Sequence, residues 1–207
     1  AASPFLFRVG APALFVFLWS TGFIGAKAGM PYAEPLTFLA LRFGLVTLLM
    51  LPVAILAGAS WPRGVMALHV GMVGLLLHAG YLGGVFVAIH RGVPAGLAAL
   101  IVGAQPLLTA LLARPFLGER VERRKWVGLA LGFVGVGLVM ADRLGFGHAD
   151  ALGLGLCVLA VVAMALGSVY QKRFCARVDL CTASVVQYLA AGLPVLALAW
   201  TTETMAI

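Results

Sequence analysis

The sequence predicts an all-α fold, a polytopic transmembrane helix bundle of about seven spans. Three observations lead there. Hydrophobic residues make up 63% of the chain and charged residues 10%, with a mean hydropathy of +1.09, whereas soluble domains carry about 25% charged residues. The apolar residues fall in runs of about 16–25, the length a helix needs to cross a hydrocarbon core of about 30 Å. Within each run they are apolar all round, as burial in lipid or protein requires. Barrel strands are shorter and alternate polar with apolar residues.

Taken in order, the spans are expected at about 11–29, 35–58, 65–89, 93–113, 124–141, 151–172 and 181–201. The first has Arg8, an apolar run and the triplet Ala26-Lys27-Ala28, features that a signal peptide shares. A signal h-region has only about 7–15 residues, and six spans follow, so it reads as a span. A tight hairpin with Pro31 and Pro35 leads into the second. The third contains His69 and His78. In the fourth, Pro106 follows Gln105 and removes one backbone hydrogen bond, which predicts a kink and a free carbonyl near Val102. The fifth has only 16 uncharged residues between Lys125 and Asp142; Arg124, Lys125 and Arg143 can snorkel to make up its length. The sixth and seventh are ordinary apolar runs, ending at Lys172 and near Thr201.

The net charge of +7 does not form a solvated basic face, so no nucleic-acid partner is indicated. The cations collect in alternate loops, which writes topology. With the N-terminus inside, Arg8, Arg63, Arg114, Arg120, Arg123, Arg124, Lys125, Lys172, Arg173 and Arg177 are cytoplasmic. Lys27, Arg91 and Arg143 are outside, and Arg42 lies within a span. Ten against three predicts a cytoplasmic N-terminus. It also places Cys175 in a reducing compartment, with Cys181 close by. Cys157, Cys175 and Cys181 show no metal or disulfide spacing. The chain has 26 glycines, several at helix-packing spacing: Gly25 and Gly29, Gly92 and Gly96, Gly128 and Gly132.

Shifted by 145 residues, the first hairpin lies on the sixth and seventh spans without a gap. Gly22 meets Gly167, Lys27 meets Lys172, Glu34 meets Asp179 and Thr37 meets Thr182. Arg42 meets Gln187, and Phe43 meets Tyr188. Only five of 34 positions are identical, so the agreement rests on helix phase and boundaries. Five spans separate the copies, an odd number, so the second copy inserts upside down. Inverted repeats are a signature of secondary transporters.

The stretch WSTGFIGAKAGMPYAEPLTFLALRF, Trp19 to Phe43, resembles the first two helices of EamA-type members of the drug/metabolite transporter superfamily. QPLLTALLARPFLGERVERRKWVGLALGFVGVGLVM resembles the end of their fourth helix, the Glu-bearing turn and the glycine-rich fifth helix. The resemblance implies ten helices in two inverted five-helix repeats. Residues 1–145 are then expected to form the first repeat, and 146–207 the start of a second, incomplete one lacking three helices. It also implies a basic residue near Lys27 and a glutamate at Glu119, and export of amino acids, metabolites or toxic compounds.

Arg42 lies about 10 Å into the second span at 1.5 Å per residue. A charge in the hydrocarbon costs about 2.5–3.5 kcal/mol on insertion scales, and none of the seven acidic residues lies deep in a span. Either Arg42 attracts an anionic group of a substrate, or it snorkels or caps carbonyls. Lys27 and Lys172 end spans, where the helix dipole favours cations, and Lys27 is either an anchor or part of an outer gate. Glu119, beside Arg120, Arg123, Arg124 and Lys125, reads as a cytoplasmic ion-pair turn, structural or gating.

His69 and His78, nine residues apart, face opposite ways and form no ligand pair. His78 shares a face with Gly71, Gly74, Tyr81 and Val85, as a cavity wall or an internal contact would. It titrates near neutral pH, which makes it the default proton-coupling residue. Trp19 is core packing or an aromatic wall. Gln105 adds a polar patch at the expected kink, and Ser184, Gln187 and Tyr188 share a face of the seventh span.

The substrate pathway is therefore expected among Trp19, Arg42, His78, Tyr81, Gln105, Gln187 and Tyr188. No cofactor, metal or covalent-catalysis motif is indicated. The function expected is alternating-access transport, as an exporter, of a small metabolite such as an amino or organic acid. The substrate would be anionic or zwitterionic, the lipid bilayer the other partner, and a homodimer is left open. An intramembrane enzyme acting on a lipid phosphate through His78 and Arg42 is the alternative. A receptor-like seven-helix bundle fits the span count but neither the inverted repeat nor the cytoplasmic N-terminus.

Overall fold

The computed structural model describes residues 10–29, 31–119, 122–141 and 151–205. Arg8, Arg120, Asp142, Arg143 and Asp150 lie outside the described residues, as does the side chain of Lys27. Seven helical spans account for nearly all the rest. They are α1 (Ala11–Gly29), α2 (Pro35–Leu56), α3 (Val65–His90), α4 (Ala95–Leu117), α5 (Arg123–Ala141), α6 (Ala151–Phe174) and α7 (Leu180–Thr202). There is no strand among the described residues.

Five of these, α2, α3, α4, α6 and α7, are long and apolar enough to cross a membrane. The other two have 19 residues each, and 1.5 Å per residue makes them slightly shorter than a core of about 30 Å. Large apolar side chains such as Leu48 and Leu56 on α2, Leu159 on α6 and Leu193 on α7 are exposed on the outside of the bundle. In water that surface would be a liability; against lipid it is the ordinary solvent-facing surface. The protein is a multi-pass membrane protein.

Two groups of helices share α3. On one side α3 and α4 pack on α6, burying Val85, Ala88, Leu97, Val102, Cys157 and Ala160. On the other, α2 and α7 enclose Leu39, Phe43, Phe86, Ala191 and Val195 against α3. Of the glycine pairs expected from spacing, only Gly29 makes a close approach: an added Cβ would lie 2.6 Å from the Phe38 ring of α2. A Cβ on Gly25, Gly92, Gly96, Gly128 or Gly132 would meet nothing within 4 Å. The tight crossings are Gly84 against α6 and Gly74 against α7, where an added Cβ would lie 3.0 Å from the Leu156 carbonyl and 2.3 Å from that of Gln187. Spacing finds small-residue stripes; which stripe meets a helix depends on tertiary packing.

α2 and α7 run antiparallel, pinned at both ends. At one end the Glu203 carboxylate accepts from the Leu36 and Thr37 amides at 2.8 and 2.7 Å and from the Thr37 hydroxyl at 2.7 Å. It thus caps a helix whose own N-cap residue, Glu34, makes no capping bond. The Glu34 carboxylate instead accepts from Thr204 and Met205. At the other end, the Thr182 hydroxyl donates to the Ser60 carbonyl at 2.8 Å. Hydrogen bonds to a charged group contribute about 1.5–3 kcal/mol each, so the Glu34–Glu203 exchange is a strong clasp.

Two spans are interrupted. α3 is α-helical over Val65–Gly74, π-helical over Leu75–Gly80 and α-helical again over Tyr81–His90. The wide turn carries His78. α4 does not merely kink at Pro106. It ends at Gly103, turns at Ala104 and restarts at Gln105, with the proline in the first turn where its missing N–H costs nothing.

Candidate functional site

Six of the seven expected pathway residues converge where α1, α2, α3 and α7 meet. Trp19 of α1 donates its indole N–H to the Tyr81 hydroxyl at 3.3 Å. Trp19, Arg42 and Tyr81 line one small cavity of about 110 Å³ together with Gly22, Val85 and Phe86. No hydrogen bond or ion pair joins Arg42 to a described residue. It is half-buried and has no partner among the described residues.

The π-turn of α3 sets His78 against α7. Its Nε2 lies 3.3 Å from the Gln187 Oε1, and its ring stacks on Tyr188 with centroids 4.2 Å apart and planes at 14°. Phe43 closes the group, 5.5 Å from Tyr188 and 6.0 Å from His78. Gln187 is buried, and its amide nitrogen has no partner among the described residues. Buried polar atoms are rarely left unsatisfied, and a polar ligand could accept from this donor. His69 is elsewhere, bonded to the Tyr170 hydroxyl at 2.7 Å, so the two histidines are not a pair. Ser184, one turn before Gln187 on α7, donates its hydroxyl to the Leu180 carbonyl.

Gln105 stands apart from this cluster. The break in α4 aims its amide at the Thr109 hydroxyl, 2.8 Å away, and at Ser168 of α6, 3.4 Å away. Gln105 and Pro106 nevertheless border two further cavities. One, about 850 Å³, lies between α1 and α4 and shares Trp19 with the Arg42 cavity. The other, about 580 Å³, runs past Thr109 and Ser168 to Glu119, Lys125 and Lys172. Three cavities thus form a series with shared walls: Trp19 between the first and second, Gln105 and Pro106 between the second and third. Thr109 was legible as a neighbour of Gln105, since i and i+4 share a helix face. Ser168, 63 residues away, was not.

At the end of the series, Lys172 of α6 pairs with Glu119, Nζ lying 2.6 Å from Oε1 and 2.8 Å from Oε2. The glutamate therefore ties the end of α4 to α6. Both side chains are more than half exposed, so the pair contributes about 0–1 kcal/mol to stability. Replacing Lys172 with glutamine should leave the melting temperature within a degree or two. If the pair closes this end of the cavity series, the same change raises labelling of a cysteine placed at Thr109 by a membrane-impermeant thiol reagent. Unchanged labelling would assign the pair a purely structural role.

A model of the EamA-like transporter family matches residues 10–141. The uncharacterized inner membrane transporter YedA of Escherichia coli is 32% identical over 183 residues, covering 88% of this chain and 58% of its own length. The uncharacterized transporter YvbV of Bacillus subtilis is 32% identical over 173 residues, 81% of this chain and 54% of its own. A probable amino-acid metabolite efflux pump of E. coli is 32% identical over 160 residues, 77% and 52%. The chain spans little more than half the length of these curated relatives. No solved structure matches it.

Proposed function

The chain belongs to the EamA-like transporter family, and from that premise we propose that it forms part of an alternating-access exporter of small anionic or zwitterionic metabolites. The family sets the enzyme reading aside, since its relatives are named as transporters and pumps. The observation that carries the substrate class is Arg42: a cation with no partner among the described residues, at the head of the cavity series. A carboxylate could accept from its guanidinium group. An amino acid also has an ammonium group, for which the Tyr81 hydroxyl and the π faces of Trp19 and Tyr188 are suitable. One relative's name, an amino-acid metabolite efflux pump, agrees with that class.

Several contacts support the inverted repeat of residues 1–145 and 146–207. A two-fold relation that exchanges residue i with i+145 maps the contact between Thr37 and Glu203 onto one between Thr182 (37+145) and residue 58 (203−145). Thr182 bonds Ser60, two residues further on. Phe43 and Tyr188 are 145 apart and touch, as residues beside the axis of such a relation would. Rocking of the repeats about that axis would open the cavity series to alternate sides, with Glu119 and Lys172 at the cytoplasmic end. The charge bias supports a cytoplasmic N-terminus in a bacterial inner membrane.

The test is efflux from proteoliposomes holding the gene's complete product and a mixed pool of amino and organic acids, read by mass spectrometry. The expected result is loss of one or a few acids and retention of neutral analogues. Equal movement of neutral and anionic analogues would overturn the substrate class, and chemical change in a lipid with no efflux would revive the enzyme reading. His78 is proposed to carry a coupling proton. Replacing it with glutamine should then flatten the dependence of efflux on pH, and an unchanged profile removes His78 from that role.

A further inference from the structure

We propose that the bundle binds the phosphate of an anionic glycerophospholipid in a basic pocket built by Arg63, Arg173 and Arg177 beside Trp61. The pocket, about 430 Å³, lies where the loop after α2 meets the end of α6 and the α6–α7 turn. It shares no lining residue with the cavity series, and no acidic residue is among those that line it. Asp179, the acid nearest in sequence, is engaged in capping α7, its carboxylate accepting from the Cys181 and Thr182 amides. Neither Arg63 nor Arg177 pairs with a described carboxylate. Three guanidinium groups that keep their charge at any physiological pH therefore surround one concave space with no described carboxylate lining it.

The walls are fixed. Thr182 holds the Ser60 carbonyl at the pocket's edge. Arg173 donates Nη1 to the Phe116 carbonyl and lies 5.5 Å from the Phe174 ring, which leaves its remaining N–H groups available. Phe174 in turn stacks on His69 at 4.7 Å. A phosphate is the anion that three such forks suit best, accepting from them through several oxygens.

A lipid phosphate is favoured over a soluble one by the rest of the lining. Trp61, Pro62, Met66 and Phe174 form an apolar shelf beside the arginines. A free phosphate leaves that shelf unused, whereas the glycerol and upper acyl carbons of a lipid cover it. Tryptophan is at home at this depth, and basic pockets between helices on the cytoplasmic side suit anionic headgroups. The leaflet follows from the cytoplasmic N-terminus; the binding itself does not depend on transport.

Native mass spectrometry of the gene's complete product in mild detergent tests the proposal, with phosphatidylglycerol, phosphatidylcholine and inorganic phosphate as probes. An arginine near an anionic surface contributes about fivefold in affinity. Phosphatidylglycerol should therefore bind much more tightly than phosphatidylcholine. The double variant Arg63→Gln/Arg177→Gln should lose about 25-fold of that affinity and melt at the wild-type temperature in phosphatidylcholine. Arg63→Lys/Arg177→Lys, which keeps the charge, should retain most of it. Equal binding of the two lipids by the wild type, or full retention of phosphatidylglycerol by a folded glutamine variant, would overturn the site. Displacement of the lipid by inorganic phosphate at equal concentration would overturn the lipid source in favour of a soluble anion. Should the glutamine variant fail to fold, the wild-type lipid preference decides alone.

Discussion

Replacing Arg42 with glutamine is expected to reduce efflux of the anionic or zwitterionic substrate about 10- to 100-fold, the loss of a hydrogen bond to a charged group worth about 1.5–3 kcal/mol. Transport of a neutral analogue, if any is measurable, should change little. The stability of the variant separates this role from a structural one. Arg42 makes no bond to a described residue, and a cation in the apolar layer costs about 2.5–3.5 kcal/mol to insert. The glutamine variant should therefore melt at or above the wild-type temperature. Were Arg42 capping carbonyls of a neighbouring helix, the same change would lower it. Lysine should restore part of the activity, since it keeps the charge but not the bidentate fork. A variant with full efflux and lower stability would remove Arg42 from the substrate site.

Gly74→Ala is the change expected to harm the fold most at a single atom's cost. A Cβ there would lie 2.3 Å from the Gln187 carbonyl oxygen, 2.6 Å from its Cα and 2.8 Å from its carbonyl carbon. All three are backbone atoms, so no rotamer relieves the contact; α3 must move off α7. Overpacking of this kind costs about 1–3 kcal/mol, sometimes more. The crossing lies one turn from His78, so the 3.3 Å contact between His78 and Gln187 should be lost with it. The expected outcome is a lower melting temperature together with loss of efflux. Gly44→Ala on α2 is the control: its Cβ would meet nothing within 4 Å, and alanine is the better helix former by about 1 kcal/mol. If both variants behave alike, the α3–α7 crossing is looser than described.

The clasp between Glu34 and Glu203 was out of sequence reach for a simple reason. Both acids stand at span ends, where a solvated carboxylate needs no explanation. Their partners, the Leu36, Thr37, Thr204 and Met205 amides, are backbone groups some 166–171 residues away. The same holds for the partner of Glu119. Four cations beside it in sequence suggested a local pair, and tertiary packing supplied Lys172 from 53 residues on. Proline also misled in part: Pro106 announced a disturbance in α4, but a break with a restart lets it occupy a first turn and avoids the lost bond of a kinked helix.

What the sequence determined by itself is the set of helices and their ends. In a hydrocarbon layer the backbone must satisfy its own hydrogen bonds, so an apolar run of sufficient length has one local solution. Every described helix accordingly lies within a few residues of its expected span. Depth is local too, which is why Arg42, His78 and Gln187 stood out as polar groups inside the layer. Which of these meet was decided by the tertiary structure. Lipid does not push helices together, so their pairing depends on close packing and on bonds between distant residues. The wide turn at Leu75–Gly80 rotates His78 onto Gln187 and Tyr188, Gly74 lets α7 come near enough to receive it, and Gln105 is left to a different cavity.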